Sequence, residues 1–290
     1  MRDYRELIRS SGLYASAKGG RDARVAVLDS GIPTVKGILS YCSRNFTSGS
    51  ARDAEHATFV GSLLFGRGQI WGICPDASAY FGNVFEGGIA KPDSVAKAIS
   101  CAVNEWNADI INLSLGFSRD LDCPKPIKEA CKMAADKGVT IVAAAGNDGG
   151  KALWPAALPE VICVGSTNGA AKADFSNTGE IDFVVPGVNL EGYSVTGDLT
   201  TRSGTSFSAA LVSGLAALLV SEARIENGER PGVQEIRDGL IGLCSDLGDP
   251  GWDQETGYGT PFLQPVQKPG IFGRIMSALK SLFRRNKNGE

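Results

Sequence analysis

The chain contains a single histidine, His56, so any reaction that needs an imidazole must use this residue. Asp29 and Asn147 each follow a short apolar run, and Ser206 precedes a long one. A carboxylate, an imidazole, a hydroxyl and a carboxamide can serve as the orienting acid, the base, the nucleophile and the oxyanion donor of acyl transfer. These residue types therefore predict nucleophilic chemistry on a carbonyl group if the fold brings them together.

Each residue also has a purely structural interpretation. An aspartate before Gly31 is common in turns, a serine at the start of a helix is a common N-cap, and an asparagine after a strand can simply shape a turn. A lone histidine is more often packed or exposed than catalytic. The combination favours function, because Ser206 would lie at a helix N-terminus, where free N–H groups and the helix dipole stabilise negative charge.

The elements that must position these residues are strands and helices in alternation. Continuous apolar runs predict six buried strands, at residues 24–28, 78–85, 109–115, 139–145, 161–165 and 181–185. Helical spacing of apolar residues predicts helices over 93–106 and 126–137. This alternation predicts an α/β fold of three layers, with a mostly parallel central sheet and helices on both faces. Ligands bind such sheets at the carboxyl ends of the strands, where Asp29 would lie.

Composition and charge exclude several classes of protein. The 290 residues are 43% hydrophobic and 21% charged, as in a globular protein with one large α/β domain. A formal net charge of −3 gives no chain-wide basic field, so we predict no nucleic-acid partner. The longest apolar run, residues 207–220, is shorter than the roughly 20 residues that span a bilayer.

The cellular compartment is predicted from the first residues and from the cysteines. Charged side chains stand where an export signal would be apolar. The seven cysteines are scattered, with no closely spaced pair of the kind that zinc sites use. We therefore predict a cytoplasmic protein whose thiols are mostly buried and reduced.

Four segments resemble the motifs of one known family, the subtilases or subtilisin-like serine proteases. These are VAVLDSGI around Asp29, HATFVG from His56, AAAGN ending at Asn147 and GTSFSA around Ser206. The order Asp, His, Asn, Ser is also that of the family. Residues 109–116 and 175–179, and the Pro-Gly pair at 186–187, are similar to further family segments. The resemblance covers roughly residues 24–262 and is closest to the intracellular branch of the family.

The resemblance implies a serine endopeptidase in which each of these residues has a defined role. Ser206 would attack the scissile carbonyl, His56 would carry the proton, and Asp29 would orient the imidazole. The Asn147 side chain and the Ser206 N–H would bind the oxyanion. A catalytically silent scaffold that binds peptides in the same groove is the alternative. Retention of all four groups favours the enzyme.

The resemblance also implies a substrate groove. An extended peptide would add as a strand to the edges formed by residues 114–116 and 87–89. Leu153 would narrow the floor of the pocket for the residue before the cut, whereas Asp148 at its rim would favour a basic residue. Leu153 and Asp148 thus favour different substrate side chains, so we predict no preference for the residue before the cut. The predicted substrate-binding residues are Gly87, Gly88, Ser114, Leu115, Gly116, Ala145, Gly146 and Leu153.

The chain departs from the family pattern at several positions. Ala57 and Phe59 stand where the histidine motif usually has Gly and a second His, and Phe207 and Ala210 stand where the serine motif usually has Met and Pro. The segment after the histidine helix, residues 64–70, contains no carboxylate. Because calcium prefers several oxygen ligands including acids, we predict no high-affinity calcium site and no required cofactor; a weak calcium site elsewhere stays open.

The two ends of the chain form separate segments. Residues 1–23 are predicted to be an N-terminal arm, either packed on the domain or covering the active-site cleft. The peptidase domain is predicted at 24–268. Residues 269–290 carry five Lys or Arg and one Glu, with apolar residues at helical spacing. This pattern predicts an amphipathic helix for an anionic membrane surface or an acidic partner, or a helix that folds back onto its own acidic domain.

Overall fold

The fold is built on a parallel sheet of seven strands in the order β2-β3-β1-β6-β7-β8-β9. The computed structural model describes residues 4–33, 37–38, 42–51 and 54–261. The helices are α1 Tyr4–Arg9, α2 Gly12–Ser16, α3 Glu55–Phe65, α4 Pro92–Asn104, α5 Lys125–Asp136, α6 Thr205–Asn227 and α7 Val233–Ile241. The strands are β1 Arg24–Asp29, β2 Cys42–Asn45, β3 Ser78–Asn83, β4 Phe85–Glu86, β5 Ile89–Ala90, β6 Ile110–Leu113, β7 Thr140–Ala144, β8 Val161–Thr167, β9 Phe183–Pro186, β10 Leu190–Tyr193, β11 Leu199–Arg202, β12 Cys244–Ser245 and β13 Thr260–Pro261.

Two hydrophobic clusters cover the two faces of the sheet. Val25 and Val27 of β1 pack with α3 and α6, whereas Ala26 and Leu28 of the same strand pack with α4 and α5. Successive side chains of a strand point to opposite faces, so a continuous apolar strand buries both. This arrangement confirms the predicted three-layer α/β fold.

The chain changes direction across the sheet at β1. Strands β2 and β3 lie on one side of β1, and β6 to β9 lie on the other. In an open parallel sheet the crevice at such a switch point is the usual ligand site. Asp29 ends β1 beside this crevice, because it is the last residue of the strand.

Two predicted strands end two residues early in the structure. The strand predicted at 78–85 ends at Asn83, whose side chain accepts from Gly31 N at 2.7 Å and donates to Phe85 O at 3.2 Å. The strand predicted at 109–115 ends at Leu113, and the next residue contacts α6 instead of continuing the ladder. In both cases polar side-chain contacts replace the sheet hydrogen bonds.

Helix α6 is the central core helix. By length and composition it could cross a membrane, but 94% of its most apolar window is buried in the fold. It contacts α3 and strands β6 to β9. Its apolar character is therefore explained by burial inside the protein.

The described part of the N-terminal arm packs away from the strand ends that carry Asp29 and Asn147. Tyr4 Oη donates to Pro261 O at 2.6 Å, and Ser221 Oγ, near the end of α6, donates to Ala17 O at 2.8 Å. Because α6 begins beside Ser206 and rises about 1.5 Å per residue, Ser221 lies more than about 20 Å along the helix from Ser206. These contacts support the packed arrangement of the arm.

All seven cysteines are free, and four of them, Cys74, Cys101, Cys131 and Cys163, are buried. Burial raises the pKa of the Cys163 thiol well above its ordinary value. Such thiols stay protonated and behave as small apolar residues. The tail at 269–290 and the domain end at 268 lie outside the described residues, so these boundaries stay predictions.

Candidate active site

Asp29 is held at the end of β1 with its side chain 1% exposed. Its Oδ1 accepts from Ser30 N at 2.6 Å and lies 2.8 Å from His56 Nδ1. Within the described ranges its Oδ2 is buried without a hydrogen-bond partner. The carboxylate thus fixes one nitrogen of the imidazole, which leaves Nε2 as the nitrogen that can exchange a proton.

His56 is the second residue of α3, at the edge of the crevice. The preceding Glu55 accepts from Arg202 Nη2 at 2.5 Å and from Val195 N at 3.1 Å, so the β10–β11 hairpin is fastened to the start of α3. The His56 side chain is 33% exposed. Its position is therefore fixed by contacts on both sides, while one part of the ring faces the crevice.

Two residues that depart from the family pattern pack against each other beside His56. The rings of Phe59 and Phe207 have centroids 4.5 Å apart, and Phe207 lies 5.5 Å from the His56 ring. Phe59 is fully buried. The two aromatic side chains therefore form one apolar contact that supports the imidazole.

The pKa of His56 is raised above its ordinary value of 6.5. Burial is the largest single influence and lowers the pKa, because it disfavours the charged ring. The charge of Asp29 and its hydrogen bond together outweigh burial. Arg202 lowers the pKa by charge repulsion. The net effect stabilises an imidazolium at this position.

Ser206 is the second residue of α6, and a glycine with φ of 155° precedes the helix. Its Oγ lies 3.4 Å from Ser114 O, a long contact, and Ser114 Oγ donates to Ser206 O at 2.8 Å. Asn112 Nδ2 in turn donates to Ser114 Oγ at 2.9 Å. Across the described part of the chain, the Ser206 hydroxyl makes no hydrogen bond to His56. The structure brings together Asp29 and His56 and leaves the hydroxyl turned towards Ser114.

Asn147 is oriented by Thr205, the residue that precedes Ser206. Its Oδ1 accepts from Thr205 N at 2.8 Å and from Thr205 Oγ1 at 3.0 Å. Because the carbonyl end is bound, the Nδ2 end is the one that can donate to a ligand. The N–H of Ser206, in the first turn of α6, has no partner inside its own helix. Both donors belong to residues that line one cavity.

That cavity has a volume of about 390 Å³ and contains most of the predicted substrate residues. Gly88, Ser114, Leu115, Gly116, Gly146 and Leu153 line it, together with Asn147 and Ser206. Gly87 and Ala145 are not among its lining residues. Gly87 is at the turn of the β4–β5 hairpin with φ of 59°, and Ala145 is buried with its carbonyl bound by Leu153 N.

Asn177 is a supporting residue whose role was not predicted. It is fully buried, its Oδ1 accepts from Asp148 N at 3.0 Å and Gly150 N at 3.1 Å, and its Nδ2 donates to Lys151 O at 2.9 Å. These bonds fix the loop that carries Asn147. The only sequence signal was its place in the family-like segment 175–179.

Among the described residues, no group of three or more His, Cys, Asp or Glu side chains is placed to hold a metal ion. After the histidine helix, Arg67 instead pairs with Asp76 at 2.5 Å.

The sequence is similar to those of known serine proteases. Residues 20–259 match the peptidase S8 profile, which describes the subtilase family. The chain is 35% identical over 239 residues to the major intracellular serine protease of Bacillus subtilis, covering 74% of each protein. It is 32% identical over 265 residues to the minor extracellular protease Epr of the same organism. That match covers 88% of this chain but 40% of the relative, and a match to subtilisin E at 30% identity covers 65% of the relative.

The fold is also similar to those of solved protease structures. A serine-to-alanine mutant of the protease domain of PatA superposes with a TM-score of 0.76 at 28% identity, covering 89% of this chain and 96% of that one. The prenylagaramide maturation protease PagA has a TM-score of 0.74 at 30% identity, with 86% and 94% covered. A lanthipeptide protease has a TM-score of 0.77 at 25% identity and 94% coverage of both chains. The likeness therefore spans nearly the whole of these protease domains.

Proposed function

Because this chain belongs to the subtilase family, we propose that it is a serine endopeptidase that hydrolyses bonds in peptide or protein substrates. Ser206 is the nucleophile, His56 the general base and acid, and Asp29 the residue that orients the imidazole. Asn147 and the Ser206 N–H bind the oxyanion. The observation that carries the proposal is the 2.8 Å contact between His56 Nδ1 and the buried carboxylate of Asp29.

The first step requires the Ser206 hydroxyl to turn from Ser114 O to His56 Nε2. The present contact, at 3.4 Å, is long for an O–H donor, so little is lost when it breaks. A serine hydroxyl changes direction by rotation about one side-chain bond, between staggered positions. Catalytic hydrogen bonds in unliganded enzymes are often loose and tighten when substrate binds.

Attack by Ser206 Oγ forms a bond to the scissile carbonyl carbon while His56 Nε2 takes the hydroxyl proton. Negative charge then develops on the carbonyl oxygen, where Asn147 Nδ2 and the Ser206 N–H donate. Asp29 stabilises the imidazolium without taking its proton. Collapse of the intermediate breaks the C–N bond as the imidazolium protonates the leaving amine. Water repeats the sequence to release the acyl group from Ser206.

A fluorophosphonate probe tests this proposal directly, because it reacts with an activated serine. Because Ser206 Oγ displaces fluoride from phosphorus, we expect the peptide that contains Ser206 to gain the mass of one probe less HF. Peptide hydrolysis should be lost in proportion. A protein that binds peptides in the groove, hydrolyses none and stays unlabelled would instead be the silent scaffold.

Replacing Asn147 with alanine is expected to lower kcat by about 10²- to 10³-fold with little change in KM, because the lost donor acts mainly in the transition state. Steady-state kinetics on a fluorogenic peptide measure both constants. Thr205→Val is the companion variant: it keeps the Thr205 N–H that binds Asn147 and removes only the hydroxyl. Its kcat should fall less. A large rise in KM for Asn147→Ala with unchanged kcat would contradict the assigned role.

In the pH profile of kcat/KM, the midpoint of the acidic limb is expected above pH 6.5. His56 must be neutral to accept a proton, and its pKa is raised from that value. Activity should therefore fall as the pH falls through the raised pKa. Arg202→Met removes a positive charge that lowers this pKa, so the limb should move to higher pH.

The measurement is a pH–rate profile with a peptide that does not titrate in the range. Arg67→Met is the matched control, because Arg67 pairs with Asp76 and is not among the groups that shift the pKa of His56. A limb that stays in place or moves to lower pH in Arg202→Met would contradict this electrostatic assignment.

We also propose that the protein acts in the cytoplasm without a required cofactor. Its relatives include both an intracellular and an extracellular protease, so the seven free cysteines are the feature that favours a reducing compartment. The proposed absence of a high-affinity calcium site rests on the carboxylate-free segment 64–70. For residues 269–290 we retain an anionic membrane surface or an acidic partner as the proposed contact.

A further inference from the structure

Leu153 lies in the same cavity as Ser206 and Asn147. Leu153 is half-buried, unlike the residues of the apolar core, and it lines the cavity. A branched apolar side chain next to the proposed nucleophile must either contact the substrate or exclude part of it. The contacts around Leu153 decide between these two outcomes.

The backbone of Leu153 is fixed between two walls. Strands β6 and β7 stop pairing at Leu113 and Ala143, and the segments that follow form opposite sides of the cavity. Leu153 N donates to Ala145 O of one wall at 2.8 Å. Trp154 exchanges hydrogen bonds of 3.0 and 2.7 Å with Phe117, which follows the other wall. The segment therefore closes the gap between the walls.

Two glycines show how tightly the Leu153 side chain fills that gap. A Cβ atom added to Gly116 would lie 2.7 Å from Leu153 Cδ1 and 2.8 Å from its Cβ. A Cβ atom added to Gly146 would lie 2.9 Å from Leu153 Cγ. Real Cβ atoms do not approach this closely, so Leu153 packs directly against the backbone of both walls. The Leu153 side chain therefore occupies the space between Gly116 and Gly146.

We infer that Leu153 closes the pocket for the residue before the scissile bond, so that the enzyme selects substrates with glycine, alanine or serine at this position. The inference rests on the proposed endopeptidase function. A leucine or phenylalanine side chain would enter only if Leu153 or a backbone wall moved, and packed interiors resist such insertion. Asp148 does not decide the preference, because it is absent from the lining of the cavity and its Oδ1 accepts from Gly150 N.

The test is a series of fluorogenic peptides that differ only in the residue before the scissile bond, with Gly, Ala, Leu and Phe. For the unmodified protein we expect kcat/KM for Ala to exceed that for Phe by about 100-fold. Leu153→Ala should raise the ratio of kcat/KM for Phe to kcat/KM for Ala by about 10- to 100-fold. Leu153→Met, which keeps the volume, should retain the preference for Ala.

Leu121→Ala is the matched control, because it makes the same truncation at a leucine that is 74% exposed and does not line the cavity. The preference of Leu121→Ala for the Ala peptide over the Phe peptide should equal that of the unmodified protein. Efficient cleavage after Phe or Leu by the unmodified protein would overturn the inference. So would an active Leu153→Ala protein whose preference is unchanged.

A binding measurement separates this inference from the proposed catalysis. The same peptides are titrated onto Ser206→Ala and onto the double variant Ser206→Ala/Leu153→Ala, where no turnover is needed. We expect the Ala peptide to bind more tightly than the Phe peptide to the first protein only. If the unmodified protein cleaves nothing but this binding pattern is found, the pocket assignment stands and the catalytic one fails. Equal binding of both peptides, or no binding, would overturn the pocket assignment itself.

Discussion

Replacing Ser206 with alanine is expected to lower kcat by about 10⁵- to 10⁶-fold, because the acyl-enzyme can no longer form. The oxyanion donors and the substrate groove remain, so hydrolysis about 10³- to 10⁴-fold above that in water should persist. Labelling by a fluorophosphonate probe should disappear. KM, or the dissociation constant for peptides, should change little, because the lost hydroxyl contacts the reacting carbon and not the remainder of the peptide.

Ser203→Ala is the matched control for this variant. Ser203 is exposed, lies three positions before Ser206 and accepts a hydrogen bond from Asn189 N through its hydroxyl. This variant should keep both labelling and activity. Thermal unfolding of the two variants shows whether the fold is retained. Probe labelling that persists in folded Ser206→Ala would mean that another residue is the nucleophile.

Replacing Asp29 with asparagine is expected to lower kcat by about 10⁴-fold, because the imidazole loses the partner that fixes its tautomer and stabilises its charge. Asparagine keeps the shape of the side chain, so the hydrogen bond from Ser30 N can survive. The charge and the hydrogen bond of Asp29 are the two influences that raise the pKa of His56. The acidic limb of the residual activity should therefore move to lower pH.

Asp136→Asn makes the same chemical change on the exposed surface of α5, where Asp136 pairs with Lys132 at 2.7 Å. Its kcat and its pH profile should match those of the unmodified protein. The pH–rate profile is the decisive readout for Asp29, because simple loss of packing would lower activity without moving the acidic limb. An unchanged limb in Asp29→Asn would show that Asp29 does not control His56.

The paired aromatic residues beside His56 illustrate how a departure from a family pattern can be compensated. Considered along the chain, Phe59 and Phe207 are two unrelated substitutions in separate motifs. In the structure their rings are in contact, and Phe207 also lies against His56. The two positions must therefore be interpreted together. Truncating either ring would leave the other against a cavity.

The strands that the sequence predicted are those with continuous apolar runs. Strand β2, Cys42–Asn45, was missed because it is a largely exposed edge strand with the polar sequence CSRN. The β10–β11 hairpin was missed for a similar reason: β11 has no buried residue, and β10 has only two. Hydrophobic periodicity reports burial, so elements that bury little give little signal.

The sequence by itself determined which groups are available for catalysis and where each lies along its strand or helix. It could do so because the carboxyl ends of parallel strands share one edge, and a strand or helix is encoded locally. Only the tertiary structure decided that Ser206 faces Ser114, that Arg202 opposes the charge of His56, and that Leu153 packs against Gly116 and Gly146. These contacts join segments distant in the chain and depend on side-chain packing, which no local pattern encodes.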